Sequence, residues 1–283
     1  YRLRIFSSFG KSENCKEVWE RLCETNIMEN YGTDKSIYIT NDDNYTHVLI
    51  LNTAMPVIPT HIPRKNVVGL AFEPLPFLGL SQKFIDYAVN NIGKYLIGTK
   101  TILPEPFTEH YSYMWHITPY KSIPEKTKIM SIMVSMKNQM IGHQYRHLLV
   151  QRILEERLPI DIYGNGSKYY SSDYGNVKGD FEEKEPYEDY MFHICIENMQ
   201  TNHYFSEKIT NPLLAGTTPI YFGCHSIDEY FPFNVLKLSG NIDEDIILLK
   251  NILQDPNAYR KNIEIETIKD KIYLLRNLDQ IFK

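Results

Sequence analysis

An acid, a hydroxyl and a lysine stand together after an apolar run in the second half of the chain. The run ends at Ile196 and is followed by Glu197-Asn198 and then by Tyr204-Phe205-Ser206-Glu207-Lys208. Ser206 is a favoured helix N-cap, and an acidic residue in the first turn suits the helix dipole. The free backbone N–H groups of such a turn can receive a phosphate, with Lys208 as the counter-charge.

The same segment could recognise the other parts of a nucleotide. The Glu207 carboxylate could accept hydrogen bonds from ribose hydroxyls, and the Tyr204 ring could lie against a base. An ordinary capped helix explains the same residues, so the pattern by itself does not establish a nucleotide site.

A second candidate for chemistry is Glu73, which follows the apolar run Val67–Ala71. Ligands bind at the carboxyl ends of parallel strands, so we expect Glu73 to face a cleft. Phe72, Pro74 and the residues after them would form an apolar collar that raises its pKa towards neutrality, as a general base requires. A solvated loop glutamate is the alternative. Weaker candidates for the base are Glu105, Asp86 and Glu109.

Carboxylates spaced Asp-x-Asp, which can hold a metal ion on a diphosphate, occur at Asp243-Glu244-Asp245. This run follows Gly240-Asn241 and would open a helix, where acidic residues suit the dipole. Neither the four cysteines nor the histidines have zinc-site spacing. We therefore expect no metal and no cofactor.

Two successive patterns of alternating strands and helices must position these residues. Predicted strands of the first half are Arg2–Phe6, Ser36–Thr40, His47–Leu51, Asn66–Leu70 and Lys94–Ile97, with helices around Cys15–Cys23 and at Ser81–Asn90. Predicted strands of the second half are Lys128–Ser135, Ile160–Tyr163, Met191–Ile196, Thr218–Phe222 and Asn234–Leu238. Predicted helices are Gly142–Arg157, Ser206–Leu214, Asp243–Leu253 and much of Asn257–Phe282.

This order predicts an α/β fold of two Rossmann-like open sheets that face each other across a cleft. A proline-rich, aperiodic stretch after Pro104 favours a linker near Tyr120–Lys126. The predicted domains are 1–122, which would bind an acceptor, and 123–283, which would bind a nucleotide. No G-x-G-x-x-G follows the first strand, which argues against a dinucleotide-dependent dehydrogenase.

The composition is that of a packed globular protein, with 43% hydrophobic and 23% charged residues. A net charge of −5 without a basic run argues against a nucleic-acid partner. No apolar run reaches the roughly 18 residues that span a bilayer. We expect a cytoplasmic protein with reduced thiols, with or without an anchor upstream of residue 1.

The segment from Ile196 to Gly223 resembles the signature of the family 10 fucosyltransferases. The family's "F-E-N … Y-V-T-E-K" and "A-G-T-x-P-x-x-x-G" stand here as Ile196-Glu197-Asn198, Tyr204-Phe205-Ser206-Glu207-Lys208 and Ala215-Gly216-Thr217-Thr218-Pro219-Ile220-Tyr221-Phe222-Gly223. Order and spacing agree over about 28 residues, and the similarity extends from roughly Lys128 to Phe282. Departures are Phe205-Ser206 for Val-Thr, and His203 where many members have Asp or Gly.

The resemblance implies a GT-B glycosyltransferase that inverts the configuration at the anomeric carbon of the sugar and needs no metal. Its implied partners are a nucleotide-sugar donor, with GDP-fucose favoured, and a glycan acceptor. A UDP-sugar donor such as UDP-xylose is the first alternative, and an inactive carbohydrate-binding module is the second.

The resemblance also implies roles for single residues. Implied donor contacts are Asn198, Tyr204, Glu207 and Lys208. A further basic residue would meet the phosphates, and the candidates for it are Lys168, Lys178 and Arg146. The family's base, a Glu in an E-S-P-like motif, corresponds to Glu73 in Glu73-Pro74-Leu75.

Overall fold

The computed structural model describes residues 1–23, 31–32 and 36–283, and its contacts divide the chain into two compact units. The first unit comprises Tyr1–Pro119, Thr201–Tyr204 and Lys269–Lys283. The second comprises Tyr120–Gln200 and Phe205–Ile268. The first break falls close to the predicted linker. The segments 201–204 and 269–283, however, which the prediction assigned to the second domain, belong to the first unit.

The first unit is built on a six-stranded parallel sheet in the order β2-β1-β3-β4-β5-β6. Its strands are β1 (Arg2–Ser7), β2 (Tyr38–Ile39), β3 (His47–Leu51), β4 (Val67–Leu70), β5 (Lys94–Ile97) and β6 (Phe107–Glu109). Its first helices are α1 (Ser12–Leu22) and α2 (Gln82–Asn91), and 3₁₀ turns occupy Arg64–Asn66 and Leu75–Phe77. The side chain of Ser81 caps α2 by accepting a hydrogen bond from the Phe84 amide.

The second unit has another six-stranded parallel sheet, in the order β12-β11-β10-β7-β8-β9. Its strands are β7 (Lys128–Met133), β8 (Asp161–Tyr163), β9 (Val177–Gly179), β10 (Tyr190–Ile196), β11 (Thr218–Phe222) and β12 (Leu236–Lys237). Its helices include α3 (Ile141–Glu155), α4 (Glu185–Glu188), α5 (Glu207–Leu214), α6 (Ile227–Tyr230) and α7 (Ile242–Gln254). The chain continues through α8 (Pro256–Tyr259), α9 (Ile265–Ile272) and α10 (Leu278–Ile281), with 3₁₀ turns at Asn165–Tyr169 and Leu274–Arg276.

The central strands are buried along their length, as strands of parallel sheets are. All four residues of β4 are buried, as are six of the seven residues of β10. Each unit has its own core. In the first it forms around β3, β4 and β5, and in the second around β7, β10 and α3. This arrangement confirms the predicted α/β class.

The sheets also contain two short strands that the sequence does not predict, β6 and β9. The long helical stretch predicted from Asn257 to Phe282 is broken into α8, α9 and α10. Within the described residues, no helix combines the length and the apolarity needed to cross a membrane.

Candidate functional site

A pocket of about 410 Å³ lies in the second unit at the carboxyl ends of its central strands. β7 and β10 are neighbours in the sheet, and the strands that follow each of them lie on opposite sides of the pair. This is the topological switch point at which open α/β sheets bind ligands. Lining residues follow β7 (Ser135 and Lys137), β8 (Gly164 and Asn165) and β10 (Asn198). The pocket therefore lies where the strand order predicts a ligand.

The N-terminus of α5 supplies one wall of the pocket. Ser206 is the N-cap, and its hydroxyl accepts a hydrogen bond from the Lys208 amide at 3.4 Å. The Lys208 ammonium lies 3.1 Å from a carboxylate oxygen of Glu207 and 3.3 Å from the Ser206 hydroxyl. Both Glu207 and Lys208 line the pocket. The predicted capped helix with its acid and base in the first turn is confirmed.

Glu197, which the sequence did not lead us to assign to the site, is a buried residue that holds the N-terminus of α5 in place through Ser206. It is 1% exposed, and its two oxygens accept hydrogen bonds from the Ser206 amide at 2.8 Å and the Ser206 hydroxyl at 2.7 Å. One oxygen also lies 3.9 Å from the Lys208 ammonium. Burial raises the pKa of Glu197, and the charge of Lys208 opposes that shift. A position directly after a buried strand was the signal that could have identified it.

The charges around Lys208 determine its own protonation. Burial by itself lowers the pKa of a lysine, but the carboxylates of Glu207 and Glu197 outweigh burial and raise the pKa of Lys208. Burial likewise works to raise the pKa of Glu207, and Lys208 reverses the shift so that the pKa is lowered. Lys208 is therefore a permanent cation at neutral pH.

Arg146 provides a second cation in the pocket lining. It is 6% exposed and donates hydrogen bonds to the Ile196 carbonyl and, at 3.5 Å, to the side-chain oxygen of Asn198. The Asn198 carbonyl in turn accepts a hydrogen bond from the Gly142 amide at 3.0 Å. Burial lowers the pKa of Arg146, and Glu197 and Glu207 oppose that shift. The structure thus brings Arg146 together with Asn198, Glu207 and Lys208.

Two further lining residues, Lys137 and His143, were not predicted. Lys137 lies in the loop that follows β7, and His143 in the first turn of α3. The ring nitrogen Nδ1 of His143 accepts a hydrogen bond from the Met140 amide. Burial, with the positive charge of Arg146, lowers the pKa of His143. Lys137 is the third cation of the lining. Its position shortly after a central strand could have identified it as a candidate from the sequence.

Lys168 and Lys178, predicted as phosphate contacts, do not line this pocket. Lys168 lies in the 3₁₀ turn after β8 and is 3.9 Å from Asp180, and Lys178 lies on β9, 3.6 Å from Asp161. Both residues are exposed. Of the three basic candidates, Arg146 is the one that lines the pocket.

Tyr204, predicted as a donor contact, is not part of the pocket lining either. It belongs to the first unit and is 6% exposed. Its Cβ lies 2.8 Å from the point that a Cβ on Gly98 would occupy, and the neighbouring Thr201 hydroxyl lies 2.6 Å from that of Thr99. The segment Thr201–Tyr204 therefore leaves the second unit after β10 and packs beyond the carboxyl end of β5.

Glu73 lies three residues after the end of β4. The preceding Phe72 is buried, and its amide donates a 2.8 Å hydrogen bond to the side chain of Asn52. Pro74 is also buried, Leu75 is half-buried and Pro76 is exposed, so the predicted apolar collar is only partly formed.

The weaker candidates for the base have other partners. Glu105 lies 3.6 Å from the Lys100 ammonium, and Glu109 accepts a hydrogen bond from the Lys100 amide. Asp86 accepts one from Gln82 within α2.

The Asp-x-Asp run opens α7, where the side chain of Asn241 accepts hydrogen bonds from the amides of Asp243 and Glu244. Asp245 is buried, and its oxygens accept from the amides of Ser239 and Gly240 and from the Tyr145 hydroxyl. Across the described parts of the chain, no three His, Cys, Asp or Glu side chains form a group that could hold a metal ion.

Known sequences are similar to the part of the chain that forms most of this pocket. Residues 123–236 match the model described as "Glycosyltransferase family 10 (fucosyltransferase) C-term". The chain is 32% identical over 123 residues to an alpha-(1,3)-fucosyltransferase of Helicobacter pylori, which covers 41% of this chain and 25% of that protein. It is 36% identical over 87 residues to alpha-(1,3)-fucosyltransferase B of Drosophila melanogaster, covering 29% and 20%. The matches thus span a quarter or less of these relatives.

Solved structures share the fold. An α1,3-fucosyltransferase crystallised with GDP-fucose superposes with a TM-score of 0.52 at 15% identity, covering 100% of this chain and 90% of that one. An S. aureus TarM mutant in complex with UDP and other ligands gives 0.50 at 12% identity, covering 83% and 55%. These neighbours are GT-B glycosyltransferases, so the fold of this chain is GT-B. Residues 123–236, which include Lys137, Arg146 and Lys208 of the pocket, therefore match the C-terminal domain of the family 10 fucosyltransferases.

Proposed function

We propose that this protein is an inverting, metal-independent glycosyltransferase that moves fucose from GDP-fucose to a hydroxyl group of a glycan. The observation that carries the proposal is the pocket of the second unit, whose lining includes Lys208 at the N-terminus of α5 together with Arg146 and Lys137. Three cations and a helix N-terminus suit a diphosphate. The family match and the GDP-fucose complex of a structural neighbour support fucose as the sugar.

In the proposed reaction the acceptor hydroxyl attacks the anomeric carbon of the sugar, and Glu73 takes the hydroxyl proton. A bond forms between the acceptor oxygen and the anomeric carbon while the bond from that carbon to the diphosphate oxygen breaks. The electron pair of the broken bond leaves with the nucleoside diphosphate. Fixed cations stabilise such developing charge without a metal, and Lys208 and Arg146 are the residues we assign to this role.

The donor is tested with purified protein and a set of nucleotide sugars: GDP-fucose, UDP-xylose, UDP-glucose and UDP-galactose. We expect GDP-fucose alone to raise the melting temperature and to be hydrolysed slowly in the absence of an acceptor. Stabilisation by UDP-sugars only would remove the fucosyl assignment. Donor binding without turnover on any glycan would favour an inactive carbohydrate-binding module.

The Glu73→Gln variant tests the proposed base, because glutamine is nearly isosteric but cannot take the proton. We expect the transfer rate to fall roughly a hundredfold or more, with the donor dissociation constant unchanged. Glu105→Gln is the matched control, since Glu105 is an exposed glutamate of the same unit with an ion pair to Lys100. Equal transfer rates for Glu73→Gln and wild type would remove Glu73 from the mechanism.

The four cysteines are free thiols, and three of them are buried. A cytoplasmic location fits reduced thiols and remains part of this proposal.

A further inference from the structure

An exposed aromatic ring lies at the switch point of the first unit. In the order β2-β1-β3-β4-β5-β6, β1 pairs with β3 while β2 lies on the other side of β1, so a ligand is expected at the carboxyl ends of β1 and β3. Phe9 is in the loop directly after β1 and is 43% exposed. Thr53 is in the turn directly after β3.

Phe9 packs against two other rings, and a third ring packs against those two, so that the four form the aromatic cluster Phe9, Trp19, Phe72 and Trp115. The ring centroid of Phe9 lies 5.8 Å from that of Phe72 and 5.5 Å from that of Trp115. Trp19 packs against both Phe72 and Trp115 from the buried side. An exposed phenylalanine on a rigid aromatic base is a preorganised apolar surface rather than a mobile side chain.

Polar groups border this surface. The Ser8 hydroxyl accepts hydrogen bonds from the Thr53 amide at 3.1 Å and from the Thr53 hydroxyl at 3.3 Å. A hydroxyl has two acceptor positions and one proton, so Ser8 still has its proton to donate. Glu73 directly follows Phe72 in the cluster. A flat apolar face with a hydroxyl donor beside it matches a pyranose ring, which has a C–H face and a rim of hydroxyls.

We propose that the exposed face of Phe9 binds the acceptor glycan by stacking against a pyranose with an unbroken C–H face, as in gluco-configured sugars. This inference rests on the proposed function and specifies where the acceptor binds. Stacking on Phe9 orients the sugar, and Ser8 and Glu73 meet its hydroxyls. Phe9 is a positioning and specificity residue and takes no part in proton transfer.

The two tryptophans of the chain, Trp19 and Trp115, are both in the aromatic cluster. Tryptophan emission therefore reports on this cluster alone and requires no turnover. We expect methyl β-glucopyranoside and methyl β-N-acetylglucosaminide to change the emission saturably in wild type. The Phe9→Ala and Phe9→Leu variants should lose the change, and Phe9→Tyr should retain it. Ile102→Ala, at a 97% exposed position of the same unit, is the control and should respond as wild type does.

In transfer assays with a glycan that wild type accepts, Phe9→Ala and Phe9→Leu should raise the acceptor KM about tenfold, which corresponds to about 1.4 kcal/mol. GDP affinity by calorimetry should stay the same, because the nucleotide pocket lies in the other unit. Phe9→Leu keeps an apolar side chain and serves as the test if Phe9→Ala does not fold. If the acceptor KM and the emission response of Phe9→Leu equalled those of wild type, the stacking proposal would be overturned. Wild-type turnover without an emission change would also overturn it and leave the transferase intact, whereas absence of turnover on every glycan counts against the proposed function itself.

Discussion

Lys208 is the side chain on which the proposed nucleotide pocket depends most directly. Its ammonium is held between Glu207 and the buried Glu197. A charged hydrogen bond contributes about 1.5–3 kcal/mol, so we expect Lys208→Ala to weaken GDP binding by roughly 10- to 150-fold. Lys178→Ala is the control, since that lysine is ion-paired outside the pocket. Isothermal titration with GDP measures both, and equal affinities would exclude Lys208 from diphosphate binding.

Single residues were predictable where local sequence fixes their position. Ser206, Glu207 and Lys208 form an N-cap and a first turn, which depend on neighbours in sequence, and the structure has them as predicted. Tyr204 stands only two positions before Ser206, yet it packs in the other unit against Gly98. Its place depends on a contact about a hundred residues away, and no local pattern reports such a contact.

The first turn of α3 packs tightly against the backbone of Glu197 and Asn198 at the end of β10. A Cβ on Gly142 would lie 1.8 Å from the carbonyl oxygen of Glu197, so the helix approaches the end of β10 as only glycine allows. We expect Gly142→Ala to lower the free energy of unfolding by about 1–3 kcal/mol and to weaken GDP binding, because Arg146 lies one turn further on. Urea unfolding and calorimetry test both effects.

Gly10→Ala is the control for this substitution, because no atom lies within 4 Å of the added methyl group. If Gly142→Ala unfolded at the same urea concentration as Gly10→Ala, α3 would not approach the end of β10 as closely as the structure has it.

Most strands and helices were predictable because their periodicity is strong. β11 spans Thr218–Phe222 as predicted, and β10 begins one residue earlier than predicted. β6 and β9 were missed because three-residue edge strands carry too few apolar positions to show a period. Lys178 lies on β9, so missing that strand also left this lysine as a phosphate candidate.

The molecule as a whole should lose stability in acid through buried histidines. Burial lowers the pKa of His193 to about 3 and that of His116 to about 4. Between these values and pH 6.5 the unfolded chain binds more protons than the folded one. The contribution of the two neutral histidines to the free energy of unfolding is therefore fully present above pH 6.5 and is lost as the pH drops. Each histidine then costs up to about 1.4 kcal/mol per pH unit.

Urea midpoints at pH 7 and pH 5 measure this loss, and His193→Asn should narrow the difference between them. The Ser131 hydroxyl donates to the Pro186 carbonyl, so His193 must donate its Nδ1 proton to Ser131, and an asparagine amide could donate in its place. An unchanged difference in midpoints would mean that His193 does not resist protonation in the folded protein.

The division of the chain into units was only partly predictable. The break near residue 120 follows from a proline-rich, aperiodic stretch, which is a local signal. The membership of residues 269–283 in the first unit is not local: Tyr1 bonds to Asp279, and the rings of His47 and Phe282 lie 4.7 Å apart. These contacts join residues that lie more than 200 positions apart, so they become visible only in the folded chain.

The placement of residues 269–283 has a consequence for biosynthesis. The first unit contains Tyr1–Pro119 but lacks one segment of its fold until the ribosome has released residues 269–283. The second unit has all of its residues once Ile268 has emerged. Of the two units, the one whose sheet is translated earlier is therefore completed later. A nascent chain stalled before residue 269 would hold every residue of the pocket that Lys208 lines, while the first unit still lacked a segment.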